Sequence, residues 1–258
     1  MNKNWVLVTG ATRGFGRALA FEWIRSLKLL PDGSKLLVTG RDESKVSQLV
    51  EELLEKRPQV LVAGKVLDLN SSLIESDINS LFQQEEGNNY ACSYLVNNAG
   101  TLGPLGPLED CDWKTISCYF YENVVTTVYL TNQYIRSFGN SFRHVIHISS
   151  LAGIEPLEYC GLYCMGKAAK NMQMRMIACE HKNDIRTLNY APGPMETDMQ
   201  THLRDNLPSG PLKTQMVELW KRGQLVAPSE SARKLIGILE TGRYENGTHI
   251  DFYSDNAC

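Results

Sequence analysis

The chain contains no apolar run of membrane-spanning length, no Cys-x-x-Cys pair, no internal repeat and no linker rich in Pro, Gly and Ser. Each absence removes a class of protein. A membrane helix needs about 20 consecutive apolar residues, and Met1 to Asn4 leads straight into a strand-like run without a charged and apolar leader. A cytoplasmic protein is therefore expected. The seven cysteines, at 92, 111, 118, 160, 164, 179 and 258, are odd in number and scattered, which suits buried or idle thiols in a reducing compartment. His144 and His147 flank a strand-like run at odd spacing, so they point to opposite faces, and no metal site is expected. With 26 basic against 29 acidic residues and a net charge of −3, no basic field draws nucleic acid or anionic lipid. Small molecules remain as partners.

The 258 residues suffice for one α/β domain over 1–258 with a substantial core. Short β-branched runs begin at Trp5, Lys35, Val60, Tyr94, His144, Ile185 and Gly247. Helical patterns lie between them, near Arg17 to Leu29, Ser44 to Lys56, Ser71 to Gln84, Trp113 to Phe138, Tyr159 to His181 and Ser229 to Thr241. Such alternation predicts βαβ units with right-handed crossovers, hence a Rossmann-type doubly wound parallel sheet of seven strands with helices on both faces. One long irregular stretch, about Glu196 to Val226, carries Pro208-Ser209-Gly210-Pro211. It follows the sixth strand, where ligands of such sheets bind, and so is a candidate lid.

Thr9-Gly10-Ala11-Thr12-Arg13-Gly14-Phe15-Gly16 follows the first strand and opens a helical pattern. Gly10, Gly14 and Gly16 let backbone approach a pyrophosphate at a helix N-terminus. After the second strand, the place of an acidic ribose ligand is taken by Gly40 and then Arg41. Together with Arg13, Arg41 suits a 2′-phosphate, because forked guanidiniums match phosphate oxygens, so NADPH/NADP+ is the expected cofactor. Asp42 is adjacent. Asp68, ending the third strand, is placed to accept from an adenine amino group or to cap the next helix. Asn97-Asn98-Ala99-Gly100 closes the fourth strand with small and amide residues that can line a cofactor groove and tie strands together.

Ser150 stands thirteen residues before Tyr163, and Lys167 follows one helical turn later. A hydride arriving at a ketone builds negative charge on oxygen, so the site needs a group that surrenders a proton as that charge develops. Tyr163 is the expected donor, with Lys167 lowering its phenolic pKa and Ser150 holding the substrate oxygen. Asn123, mildly unfavourable inside a predicted helix, is a candidate anchor for a water that resupplies the proton. Met165, Met172 and Met176 are expected to be helix packing.

Over essentially its whole length the chain resembles the short-chain dehydrogenase/reductase family. The resemblance rests on Thr9 to Gly16, Asn97 to Gly100, Asn123, Ser150, Tyr163, Lys167 and Pro192-Gly193. It implies strand order 3-2-1-4-5-6-7, NAD(P)-dependent chemistry and dimers or tetramers built through the fourth and fifth helices, of which a homodimer is expected here. Thr12, Phe15 and Leu69 would join the cofactor contacts, and Lys167 would also hold the nicotinamide ribose. Pro192-Gly193-Pro194-Met195-Glu196-Thr197 would cup the nicotinamide, with Asp198 and Met199 alongside. Further stretches, Gly10 to Leu19, Gly161 to Ala169, Asn189 to Gln200 and His249 to Tyr253, resemble the branch of the family that reduces side-chain ketones of pterins in tetrahydrobiopterin synthesis. In that branch the aspartate matching Asp251 holds the pterin. A carboxylate suits it, accepting from both the 2-amino and ring N–H groups. Ser150, Leu151, Tyr163 and Gly193 would border the pterin side chain. A reductase of other dicarbonyls or quinones would use the same catalytic residues but not Asp251, and a non-catalytic NADP sensor would need none of them.

Overall fold

The computed structural model describes residues 3–71, 74–83, 85 and 89–254. Residues 72, 73 and 84 of the third expected helix, and Cys258, lie outside them. Seven strands form one parallel sheet: β1 (Asn4–Val8), β2 (Lys35–Gly40), β3 (Leu61–Val66), β4 (Cys92–Asn97), β5 (Phe142–Ile148), β6 (Ile185–Ala191) and β7 (His249–Asp251). Their order, β3-β2-β1-β4-β5-β6-β7, is the one the family resemblance implies. The order reverses between β1 and β4, where Val8 is level with Val38 on one side and Val96 on the other.

Side chains alternate across the strands, and both faces are apolar because both are covered by helices. Val6, Val8, Leu36, Val38, Tyr94, Val96 and Ile146 face the layer that contains α1 (Gly14–Arg25), α2 (Glu43–Lys56) and α9 (Pro228–Thr241). Trp5, Leu7, Leu37, Leu95 and Val145 face the opposite layer of α3 (Ile74–Gln83), α5 (Thr126–Ser137) and α6 (Gly161–Glu180). Trp5 is fully buried there, its ring 4.4 Å from that of Phe138. His144 and His147 obey the same alternation. His144 stacks on Tyr94 at 4.5 Å, while the His147 ring faces Lys167 and Lys170 of α6.

The helices begin where local chemistry satisfies their free N–H groups. The Asp42 carboxylate accepts from Lys45 N at 3.1 Å and opens α2, and Asp112 accepts from Thr115 N at 2.7 Å and opens α4 (Trp113–Phe120). Between α4 and α5 the chain widens into a π-helical turn, Tyr121–Val125, so the single helix expected from Trp113 to Phe138 has a defect at Asn123.

Two expectations are corrected. The stretch from Glu196 to Val226 is largely helical, with α7 (Asp198–Asn206) started by the Thr197 hydroxyl and α8 (Pro211–Lys221) by Pro211 in its first turn. Pro208-Ser209-Gly210 is only the break between them. Met165, Met172 and Met176 are not core packing, because they lie at helical spacing on the outer face of α6 and are 39–50% exposed. Leu162, Met174 and Ile177 are apolar residues of that helix turned inward.

Candidate active site

A cleft of about 770 Å³ opens at the carboxyl ends of the strands, where the sheet order reverses. Its floor is the turn from β1 into α1. Gly10 and Gly14 have φ of +63° and +53°, a region costly for any residue with a Cβ. A Cβ on Gly16 would stand 2.3 Å from the Gly10 carbonyl oxygen and 2.4 Å from Asn98 Nδ2, so backbone and amide fill that space. Asn98 Nδ2 donates to the carbonyls of Thr9 and Gly10 at 2.8 and 3.1 Å. The N-cap residue Arg13 makes no side-chain cap, and the first turn of α1 carries no acid. Its free N–H groups therefore face the cleft beside Gly14 and Phe15, an arrangement that fits a pyrophosphate.

Arg13, Gly40 and Arg41 border the same cleft. Gly40 is packed against Thr12, whose Cγ2 would be 2.4 Å from an added Cβ, so no acidic side chain can stand at position 40 without displacing Thr12. The Asp42 carboxylate is committed to the start of α2, accepting also from Ser44 Oγ at 2.7 Å, and these bonds hold it below the usual carboxylate range. Asp42 thus caps α2 and is not among the residues that line the cleft. Asp68 is exposed and accepts from Asn70 N at 3.1 Å, while its neighbours Leu67 and Leu69 line the cleft. Arg13 meets Asp198, the first residue of α7, at 2.7 Å, which joins the glycine turn to α7.

The reacting end lies where α6 passes the ends of β5 and β6. Tyr163 and Lys167 line the cleft, with Lys167 Nζ 5.5 Å from the Tyr163 ring centre. Lys167 donates to the Ile148 carbonyl at 2.6 Å, fixing the ammonium at the mouth of β5. Ser150 Oγ accepts from Ala152 N at 3.2 Å as the cap of a short 3-10 turn, and its hydroxyl also bonds Tyr163. Burial raises the Tyr163 phenol to about 12, against the lowering hydrogen bond from Ser150. The expected lowering by Lys167 is not among the influences on this phenol; burial pushes the lysine itself well below its ordinary value, and the neighbouring Lys170 adds to that. Asn123 is buried in the π-helical turn. Its amide donates to Thr101 Oγ1 and the Tyr119 carbonyl at 3.0 and 3.1 Å and accepts from Thr101 N at 2.8 Å. The side chain thus ties two segments together.

Ala99, Gly100, Pro192, Met195, Thr197, Asp198 and Met199 border the cleft as expected. Asn97 does not, because neighbouring strand residues point to opposite faces. Its amide turns under the sheet to Thr131 Oγ1 at 2.9 Å, and Asn98 takes the cleft side. Gly193, with φ of +80°, shapes the loop after β6. Leu151 is 46% exposed. Asp251 is level with Ala191 at the end of β7, outside the cleft lining, and its Oδ1 accepts from Tyr253 N at 2.8 Å. Sequence reasoning missed Thr39, Thr101, Leu102, Gly103, Glu122, Ser149 and His202, all of which face the cleft. Only Thr101 and Ser149, each adjacent to a recognised motif, carried a usable signal.

A family model described as short chain dehydrogenase matches residues 4–208. The sepiapterin reductase of Rattus norvegicus is 36% identical over 253 residues, 96% of this chain and 95% of its own length. A benzil reductase ((S)-benzoin forming) of Bacillus cereus is 25% identical over 95% of this chain and 98% of its own. A solved short chain dehydrogenase from Shigella flexneri, complexed with NADP, superimposes with a TM-score of 0.77 at 22% identity over 97% of each chain. These matches agree with a dinucleotide-type cleft that ends at Tyr163 and Lys167, with Ser150 bonded to the tyrosine, and the chain belongs to the short-chain dehydrogenase family of oxidoreductases.

Proposed function

We propose that the protein is an NADPH-dependent reductase of pterin side-chain ketones, with sepiapterin as substrate and a place in tetrahydrobiopterin synthesis. The observation that carries this reading is the pair Tyr163 and Lys167 lining the inner end of the cleft, with Ser150 hydrogen-bonded to Tyr163, in a chain 36% identical to a sepiapterin reductase. Arg13 and Arg41 supply two forked cations for a 2′-phosphate, and Gly40 offers no acid to the ribose of NAD. When bound, the nicotinamide supplies a hydride. Lys167 would hold the adjoining ribose, and Ser150 would orient the ketone oxygen. Tyr163 then delivers its proton to that oxygen. Its raised pKa keeps the phenol neutral at physiological pH, which is the form a reduction requires.

Asp251 is the proposed pterin anchor. It follows Ile250 at the end of β7, and the next residue, Phe252, packs against Gly193 at the cleft. Reduction of other dicarbonyls is a second reading, favoured by similarity to a benzil reductase. NADPH consumption with sepiapterin, set against NADH and small diketones, decides between them. An Asp251→Asn enzyme that reduces sepiapterin as well as the parent would eliminate the pterin anchor, and tight NADPH binding without turnover would leave only a sensor. We place the protein in the cytoplasm as a homodimer, and the exposed Trp113, Val125, Met172 and Met176 of α4 to α6 suit its interface.

A further inference from the structure

The turn that follows β7 is held both from within and from α9. Across residues 251–254, Ser254 N donates to the Asp251 carbonyl at 3.0 Å, Tyr253 N to Asp251 Oδ1 at 2.8 Å, and Asp251 N to Ser254 Oγ at 3.3 Å. Phe252 N continues the sheet ladder to the Ala191 carbonyl at 2.8 Å. Into this turn reaches Lys234, half-buried on α9. Its ammonium donates to the Phe252 carbonyl at 2.6 Å and the Ser254 carbonyl at 2.8 Å, and lies 5.6 Å from the centre of the Phe252 ring. Among the described residues it has no acidic partner, so the charge is spent on two backbone carbonyls. Such charge-assisted bonds are roughly twice as strong as neutral ones.

Strand alternation decides what this clamp holds. His249 and Asp251 fall on one face of β7 and Ile250 on the other. Ile250 joins the core under α1 and α9, so Asp251 is turned towards the layer of α6, the helix that carries Tyr163. Asp251 Oδ1 is engaged by Tyr253 N, and among the described residues Oδ2 forms no hydrogen bond. Phe252 returns to the α9 side, where a Cβ on Gly193 would stand 3.5 Å from Phe252 Cβ and 3.2 Å from Val226 Cγ2. The same side of α9 holds the neighbouring wall of the cleft. Ser231, three residues before Lys234, donates to the Pro192 carbonyl at 2.9 Å, and its hydroxyl meets that of Tyr190 at 3.0 Å. Just before the helix, Val226 N donates to the Pro194 carbonyl at 2.9 Å, and the Val226 carbonyl accepts from Glu196 N at 3.2 Å. One helix face therefore fixes the loop after β6, whose Pro192 and Met195 line the cleft, and the turn after β7 beside it.

We infer that Lys234 is a positioning residue for substrate selection: by holding the Phe252 and Ser254 carbonyls it fixes the turn from which Asp251 presents its carboxylate. The inference rests on the reading of Asp251 as the pterin anchor. A carboxylate that must meet two parallel N–H groups at once needs a fixed direction, and a turn free to swing would lose it. Lys234 itself borders neither the cleft nor the Ser150, Tyr163 and Lys167 group, so its removal loosens the anchor without touching the reacting atoms.

Steady-state rates with sepiapterin and with diacetyl should be compared in the parent, Lys234→Met, Asp251→Asn and the double variant, together with NADPH affinity by fluorescence titration. Lys234→Met should raise the KM for sepiapterin about tenfold or more at near-parental kcat. Diacetyl reduction and NADPH affinity should stay parental, because so small a diketone does not reach the anchor. In the Asp251→Asn background, Lys234→Met should raise the KM no further, since both residues act through one contact. A residue that only stabilised the fold would alter both substrates alike, and its loss would multiply with that of Asp251. Either of those results, or a parental sepiapterin KM in Lys234→Met, overturns the proposal. Should Lys234→Met fail to fold, Lys234→Gln, polar but uncharged, takes its place in the same comparison. A parent inactive on sepiapterin, or an Asp251→Asn enzyme with parental KM, overturns the pterin reading and this role together. A raised KM in Asp251→Asn beside a parental one in Lys234→Met overturns the role of Lys234 alone.

Discussion

At Tyr163 burial and the hydrogen bond from Ser150 pull in opposite directions, and burial wins. The phenol is raised to about 12 even though Ser150 donates a hydrogen bond that favours ionisation. A group so held gives up its proton only to a stronger base, such as an alkoxide forming beside it. Tyr163→Phe should therefore lower kcat by about 10²–10⁴-fold while leaving NADPH affinity intact, as steady-state rates and fluorescence titration would show. A variant retaining parental kcat would dismiss Tyr163 as donor. Arg41 belongs to the same scale. A charge-assisted hydrogen bond is worth about 1.5–3 kcal/mol, so Arg41→Ala should weaken NADPH binding by roughly tenfold to a hundredfold and leave NADH binding unchanged. Equal losses for both nucleotides would mean that Arg41 does not meet a 2′-phosphate.

The turn from β1 into α1 shows how an element is set by space as much as by propensity. Gly10 and Gly14 need their positive φ, but Gly16 is required for a different reason, since the Gly10 carbonyl and the Asn98 amide occupy the place of its Cβ. Gly16→Ala should cost about 1–3 kcal/mol through forced displacement and weaken NADPH binding, measured by urea unfolding and titration. Unchanged stability would show that the turn relaxes freely. The spacing of these glycines was legible because it reports local backbone geometry. Neither α7 nor α8 was legible as a helix. Their short polar segments are interrupted by Pro208-Ser209-Gly210, and their definition comes from the Thr197 cap, the Pro211 start and docking of Glu196 on Val226. Asn123 was legible as a misfit in a helix, but its place in a π-helical turn depends on hydrogen bonds to Thr101, twenty-two residues earlier.

For the whole molecule, burial against both faces of the sheet keeps two imidazoles uncharged. Burial lowers His144 to about 4 and His147 well below 6.5. Above the unfolded value of about 6.5 neither folded nor unfolded chain carries these protons, and no penalty arises. As pH falls from there towards 4, the unfolded chain takes up protons that the folded chain refuses, so stability should decline. Urea midpoints measured down that range should fall, and less steeply for His147→Asn. Identical slopes would show that His147 gains its proton in the folded state.

What the sequence determined by itself was whatever depends on local spacing. The alternation of strands and helices, the glycine turn, the Tyr163 to Lys167 pitch, and the opposed faces of His144 and His147 all follow from backbone geometry that acts over a few residues. Tertiary structure decided everything that depends on which segments meet. It turned Asn97 away and Asn98 inward, exposed three methionines, engaged Asp42 as a cap, and raised the Tyr163 phenol instead of lowering it. The physical reason is the same in each case. Burial and partner choice are properties of the packed sheet and its helices, and the desolvation that raises Tyr163 against its hydrogen bond from Ser150 exists only once α6 has closed over the ends of β5 and β6.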